Sequence, residues 1–120
     1  MDASIVVRCL VPELILSIAK TPPPPYYAVI FTSLRTADEN GYDGMAEEMM
    51  TAAARQPDFL GMESAREVLG ITVSYWDSLE SIAAWKRDTA HRAAQKLGRE
   101  RWHQSYKTRI CRVERDYDFD

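Results

Sequence analysis

The chain reads as an α+β domain with the element order β-α-β-β-α-β, and three observations carry that reading. The first is "YYAVIFTSLR" at residues 26–35, where aromatic and β-branched side chains dominate as they do in strands. The second is the recurrence of Met45, Ala46, Met49, Met50 and Ala53 three or four positions apart, the spacing that lays one face of a helix on an apolar surface. The third is a pair of strand-like runs at 59–67 and 70–76, followed by a capped helical stretch and an alternating run at 106–117. Two βαβ halves in this order form the ferredoxin-like arrangement, a four-stranded antiparallel sheet with both main helices on one face.

Each element has its own boundary signals. Residues 1–25 form an N-terminal extension that ends in "TPPPP", a run without backbone donors that favours a polyproline II spacer. The compact domain is expected over 26–120. "TADENGYDG" at 36–44 supplies a loop and a helix start, and "RQP" at 55–57 ends that helix. The next two strands are expected to join tightly around Leu69–Gly70. Asp77 or Ser78 caps the second helix, whose periodicity runs through Leu79, Ile82, Ala83 and Trp85 or Lys86. A further helical piece over 89–97 stops at Gly98, before the last strand.

Composition narrows the function classes. Among 120 residues, 15 basic against 18 acidic side chains leave a net charge of -3, so no overall basic field points to nucleic acid or an anionic membrane. Two cysteines, Cys9 and Cys111, form no disulfide framework and read as reduced thiols of a cytoplasmic protein. There is no HExxH motif, no cysteine pair at ligand spacing and no dinucleotide fingerprint, so neither a zinc site nor a Rossmann-bound cofactor is expected. In residues 1–19 the apolar bias is broken by Arg8, Pro12 and Glu13, which argues against a membrane span or a signal peptide.

Alternation within the strands raises the question of a partner. Tyr27, Val29 and Phe31 point one way from the first strand, while Ala28, Ile30 and Leu34 point the other. In the third strand Ile71, Val73 and Tyr75 oppose Thr72, Ser74 and Trp76. Two helices cover only one face, so bulky side chains on the other predict a second surface. At roughly 25 cal/mol per Å2, several hundred Å2 of such a face contributes on the order of 10 kcal/mol before association costs. A homodimer packed sheet face to sheet face is the expected solution.

The segments "YYAVIFTSLRT", "QPDFLGMESARE" and "ITVSYWDSLESIAAWKRDTAHRAAQKLGRERWHQSY" together resemble the antibiotic biosynthesis monooxygenase (ABM) superfamily over about residues 26–116. The most specific part is a strand ending in Tyr75–Trp76, a capped helix, then Trp85 and a His91-x-x-Ala94 step. The resemblance implies a dimeric α/β barrel. It also implies one of several activities: cofactor-independent oxygenation of aromatic ketides, quinol oxidation or haem degradation. For the haem-degrading branch the likeness stops at Trp85, because Gln95 stands where that branch has its histidine ligand and residues 26–36 contain no asparagine.

The candidate function is therefore a monooxygenase that oxidises a small phenol- or quinol-like molecule with molecular oxygen and no cofactor. The alternative is a binding or structural dimer without turnover. His91 is the candidate base, since an imidazole with a reference pKa near 6.5 suits proton removal, and Tyr106 is its candidate catalytic partner. Phe31, Tyr75, Trp85 and Trp102 are the candidate substrate-binding residues, although each tryptophan equally suits a core. Arg109 is a candidate for holding an enolate or carboxylate if it faces inward, and His103 carries weaker support. Met45, Met49 and Met50 read as core filler.

Overall fold

The computed structural model describes residues 17–35, 51–88, 96 and 103–119. Four strands, β1 (Tyr26–Arg35), β2 (Phe59–Arg66), β3 (Leu69–Trp76) and β4 (His103–Val113), form one sheet in the order β2-β3-β1-β4. Every neighbouring pair is antiparallel. Helical residues 51–54 are the described end of α1, and α2 spans Leu79–Arg87. This is the expected α+β, ferredoxin-like architecture, with β1 and β3 at the centre of the sheet.

The core explains why the helices choose one face. Val29, Ala53, Trp76, Ile82 and Trp85 form a buried cluster that draws on β1, α1, β3 and α2 at once, with Tyr27 and Phe59 packed against it. Trp76 is fully buried; its ring stacks on Trp85 at 5.0 Å and meets Phe59 edge to face at 5.4 Å. Its indole N–H donates to Ser74 Oγ at 2.9 Å, so the polar atom of this large side chain goes in satisfied. Helix α1 ends as "RQP" predicts: the Arg55 and Gln56 amides bond back to Thr51 and Ala53, and the Phe59 amide bonds to Gln56 as β2 begins.

Helix α2 starts at Ser78, which settles the choice between Asp77 and Ser78. Ser78 has extended backbone angles, and its Oγ accepts from the Ser81 amide at 3.1 Å. The Asp77 amide is used differently, bonding to the Asp58 carbonyl at 2.9 Å and tying the end of β3 to the start of β2. Lys96 is helical, while the rest of the expected 89–97 helix and the helical positions expected at Met45, Ala46, Met49 and Met50 lie outside the described residues.

Two strand boundaries differ from the sequence reading. The β2–β3 turn sits at Glu67–Val68, not at Leu69–Gly70, because Leu69 and Gly70 pair with Leu34 and Ser33 of β1 and are held in the ladder. The Glu67 amide bonds to the Leu69 carbonyl at 3.0 Å and closes the turn. The last strand starts at His103 and stops at Val113, not at 106 and 117. His103 pairs with Arg35 and Val113 with Tyr26, so β4 runs only as far as β1 offers partners, although the alternation continues to Tyr117. No helix among the described residues is long and apolar enough to cross a membrane.

Candidate active site on the helix face of the sheet

Register assembles the helix face into rows that cross all four strands. Beginning at the β2–β3 hairpin, the first row is Arg66, Gly70, Ser33 and Tyr106, and the second is Ser64, Thr72, Phe31 and Thr108. The third is Met62, Ser74, Val29 and Ile110, where the apolar cluster begins. One end of this face is thus core, while the other is a floor of hydroxyls, one guanidinium and two aromatic rings. Ligand sites combine apolar and aromatic walls with a few placed polar groups, and this end of the face supplies both.

Its geometry is specific. Phe31 and Tyr106 lie diagonally on adjacent strands, with ring centroids 5.5 Å apart and planes tilted by 32°. Arg66 Nη2 donates to Ser33 Oγ at 2.5 Å, and Ser33 is only 1% exposed. To reach Ser33, the Arg66 side chain must cross β3, and it does so over Gly70, where an added Cβ would fall on the guanidinium. Ser64 and Thr72 share a hydroxyl–hydroxyl bond of 2.9 Å in the next row.

The sequence-predicted candidates separate into three groups. Phe31 and Tyr106 are brought together. Trp85 is 5% exposed and lies in the apolar cluster on Trp76, and Tyr75 lies on the opposite face of the sheet. His91 and Trp102 lie outside the described residues. Arg109 is exposed on that opposite face, level with Ile30. Sequence reasoning missed Arg66, Ser33, Ser64 and Thr72. The available signal was alternation itself, which places these polar residues in phase with Phe31 and Trp76 on the face that the helices cover.

The outer face carries its own polar cluster. Tyr75 donates to Glu63 Oε1 at 2.6 Å, and Glu63 Oε2 accepts from the Ala19 amide at 2.9 Å, so the segment before the prolines lies on the sheet. Tyr26, 4% exposed, packs edge to face with Tyr75 at 6.0 Å; its hydroxyl donates to Asp116 and accepts from Thr21. Burial, then the hydrogen bond and charge of Glu63, raise the Tyr75 phenol above its ordinary 10.0. Burial first and Asp116 second raise Tyr26 likewise. In the unfolded chain both phenols ionise near their ordinary value, while the folded state holds their protons longer. Stability from this cluster is therefore complete below pH 10 and falls as pH rises toward the folded values. Urea titrations at pH 9, 10 and 11 are expected to show that fall, and Tyr75→Phe is expected to flatten it. An unchanged slope in the variant would remove Tyr75 from the effect.

No family model matches the chain. It is 51% identical over 100 residues to the uncharacterised protein YqjZ of Bacillus subtilis (strain 168), covering 82% of this chain and 88% of that protein. Among solved structures it is similar to SnoaB, a cofactor-independent oxygenase from Streptomyces nogalater. That match has a TM-score of 0.66 at 9% identity, over 78% of this chain and 97% of SnoaB. It is similar as well to a candidate antibiotic biosynthesis monooxygenase from Nitrosomonas europaea, with a TM-score of 0.61 at 10% identity, over 77% and 92% of the two chains. These structural likenesses establish a shared fold.

Proposed function

This chain belongs to the same protein family as YqjZ of Bacillus subtilis and carries the fold of the antibiotic biosynthesis monooxygenases, and from that premise we propose that it is a cofactor-independent monooxygenase of small aromatic phenols or quinols. The observation that carries the reading is the Phe31–Tyr106 ring pair beside a floor of hydroxyls on the helix face of the sheet. Aromatic walls bind a planar ring, and fixed hydroxyls orient its oxygen.

The reaction needs a base and an electron-rich substrate. His91, with Tyr106 sharing the proton, removes the phenolic hydrogen. The resulting anion passes one electron to molecular oxygen, and the radical pair combines at ring carbon to form a peroxide. Loss of water leaves a quinone, so one oxygen atom enters the product and the other leaves as water. Exclusion of bulk water by the helices would strengthen the polar contacts made to the anion.

Pairing of two copies through the outer face completes the proposed assembly. Ile71 and Leu69 on that face are 41% and 50% exposed. Oxygen uptake is the deciding measurement, made with a panel of phenols and quinols and repeated with His91→Ala. The expected result is uptake of one oxygen per substrate and a loss of roughly 100-fold in the variant, the size of a lost acid–base group. Unchanged turnover would remove His91 from the mechanism. Binding without any turnover would replace this reading with that of a sequestering protein, and tight haem binding with haem loss would replace it with a haem-degrading one.

A further inference from the structure

We propose that the tail after β4 is an arm that grips a second copy of this chain. Tyr117 and Phe119 of one copy lie on the Leu69–Ile71 end of the other copy's outer sheet face, with Asp118 against Lys107. The inference rests on the pairing through the outer face proposed above and adds which ends meet and what holds them.

The tail is fixed in place while its rings stay in water. Strand β4 ends at Val113, opposite Tyr26, the first residue of β1. Three residues on, Asp116 accepts from the Tyr26 hydroxyl, and Tyr26 is itself 4% exposed, so the tail is tied to the domain at that end. Directly beyond the tie, Tyr117 is 95% and Phe119 99% exposed. Ile18, 84% exposed, belongs to the same end. Its neighbour Ala19 sits against Gly61, opposite Tyr75, and the Tyr75 ring packs on Tyr26. One exposed apolar side chain is ordinary. Three at one end are not, when two are aromatic rings that each bury roughly 150–250 Å2 once covered, the usual anchors of an interface.

The far end of the outer face offers the complement. Val68, Leu69 and Ile71 are 81%, 50% and 41% exposed. The cross-strand row through Ile71 continues over Thr32 to Lys107, an exposed cation on β4. The tail carries the opposite charge, with Glu114, Asp116 and Asp118 against Arg115 and with Asp118 exposed between the two rings. These two ends do not meet within one copy. Lys107 is six strand residues from Val113, about 20 Å, whereas the three residues from Asp116 to Phe119 reach only about 10 Å when extended. A two-fold axis that sets the strands of the two sheets antiparallel brings each end onto its complement, twice over.

The dimer Kd, measured by sedimentation equilibrium of the full chain at micromolar concentrations, tests the arm. Tyr117→Ser combined with Phe119→Ser is expected to raise Kd by roughly 30-fold or more, the size of a lost aromatic anchor. Asp118→Lys and Lys107→Glu should each raise it several-fold by setting like charges together, and the two combined should restore it. All four positions are exposed, so circular dichroism should show each variant folded. A dimer whose Kd the ring variant leaves unchanged would overturn the arm and leave sheet-face pairing standing. Charge reversals that add up without cancelling would overturn it as well. A chain that stays monomeric throughout would remove the pairing and the arm together. Oxygen uptake is a separate measurement: a dimer held by the arm stands whether or not the protein oxidises a phenol.

Discussion

Trp76→Ala is expected to cost about 3–5 kcal/mol of stability, the range for emptying a buried tryptophan site. Trp76 is wholly inaccessible, and its ring is the surface on which Trp85 stacks and against which Phe59 sets its edge. Removing it leaves two aromatic rings facing a void and leaves Ser74 Oγ without the indole donor it now holds. The void opens between β3 and α2, where Ile82 and Ala53 also meet, so α1 and α2 lose the same anchor together. For a domain near this size such a loss corresponds to a drop in Tm of roughly 10 °C or more. Urea denaturation followed by far-UV circular dichroism measures it. A change below about 1 kcal/mol would mean that the helices are held by something other than this cluster.

The second large effect is expected at Gly61. Its φ of +151° lies where side chains are disfavoured, and it sits at the irregular stretch of β2 between Phe59 and Gly61, opposite Tyr75. A Cβ there would come within 3.1 Å of the Ala19 Cβ, in the segment that crosses the outer face. Gly61→Val therefore adds backbone strain to overpacking, roughly 1–3 kcal/mol from each source, and a total near 3 kcal/mol is expected. The strain acts on β2 while the crowding pushes Ala19 off the sheet. The variant should consequently show faster amide exchange at Ala19, whose N–H bonds Glu63, as well as a lower urea midpoint. Wild-type stability in Gly61→Val would contradict both arguments.

How much of this was legible in the sequence follows from how local each signal is. The strands at 26–35 and 70–76 announce themselves through aromatic and β-branched residues, and the helix start near Ser78 through its capping side chain. Strand ends are set by partners instead. Leu69 and Gly70 look like a turn in isolation and become strand because β1 runs beside them. Tyr117 continues an alternating pattern but has passed the end of β1. In the site, Phe31 and Tyr106 were visible as aromatic residues on strands. Arg66 was not, because its placement depends on Gly70, opposite it on β3, and on Ser33 one strand further across the sheet. The contact of Ala19 with Glu63 spans 44 residues and leaves no local trace.

The Glu67–Val68 turn has a consequence beyond joining two strands. Arg66, Gly70, Ser33 and Tyr106 reach one face from four strands only because each strand is in phase with its neighbours, and this turn sets the phase of β2 against β3. Side chains alternate with period two, so a slip of one residue here would carry Arg66 to the opposite side of the sheet and bring Glu67 or Ala65 in its place. The same slip would turn Met62 out of the buried row beside Ser74 and Phe59 away from Trp76, so the core at the other end of β3 registers the change as well. The turn therefore works as a reading frame: the same letters, shifted by one, would lose the cation of the floor and the β2 side of the core together.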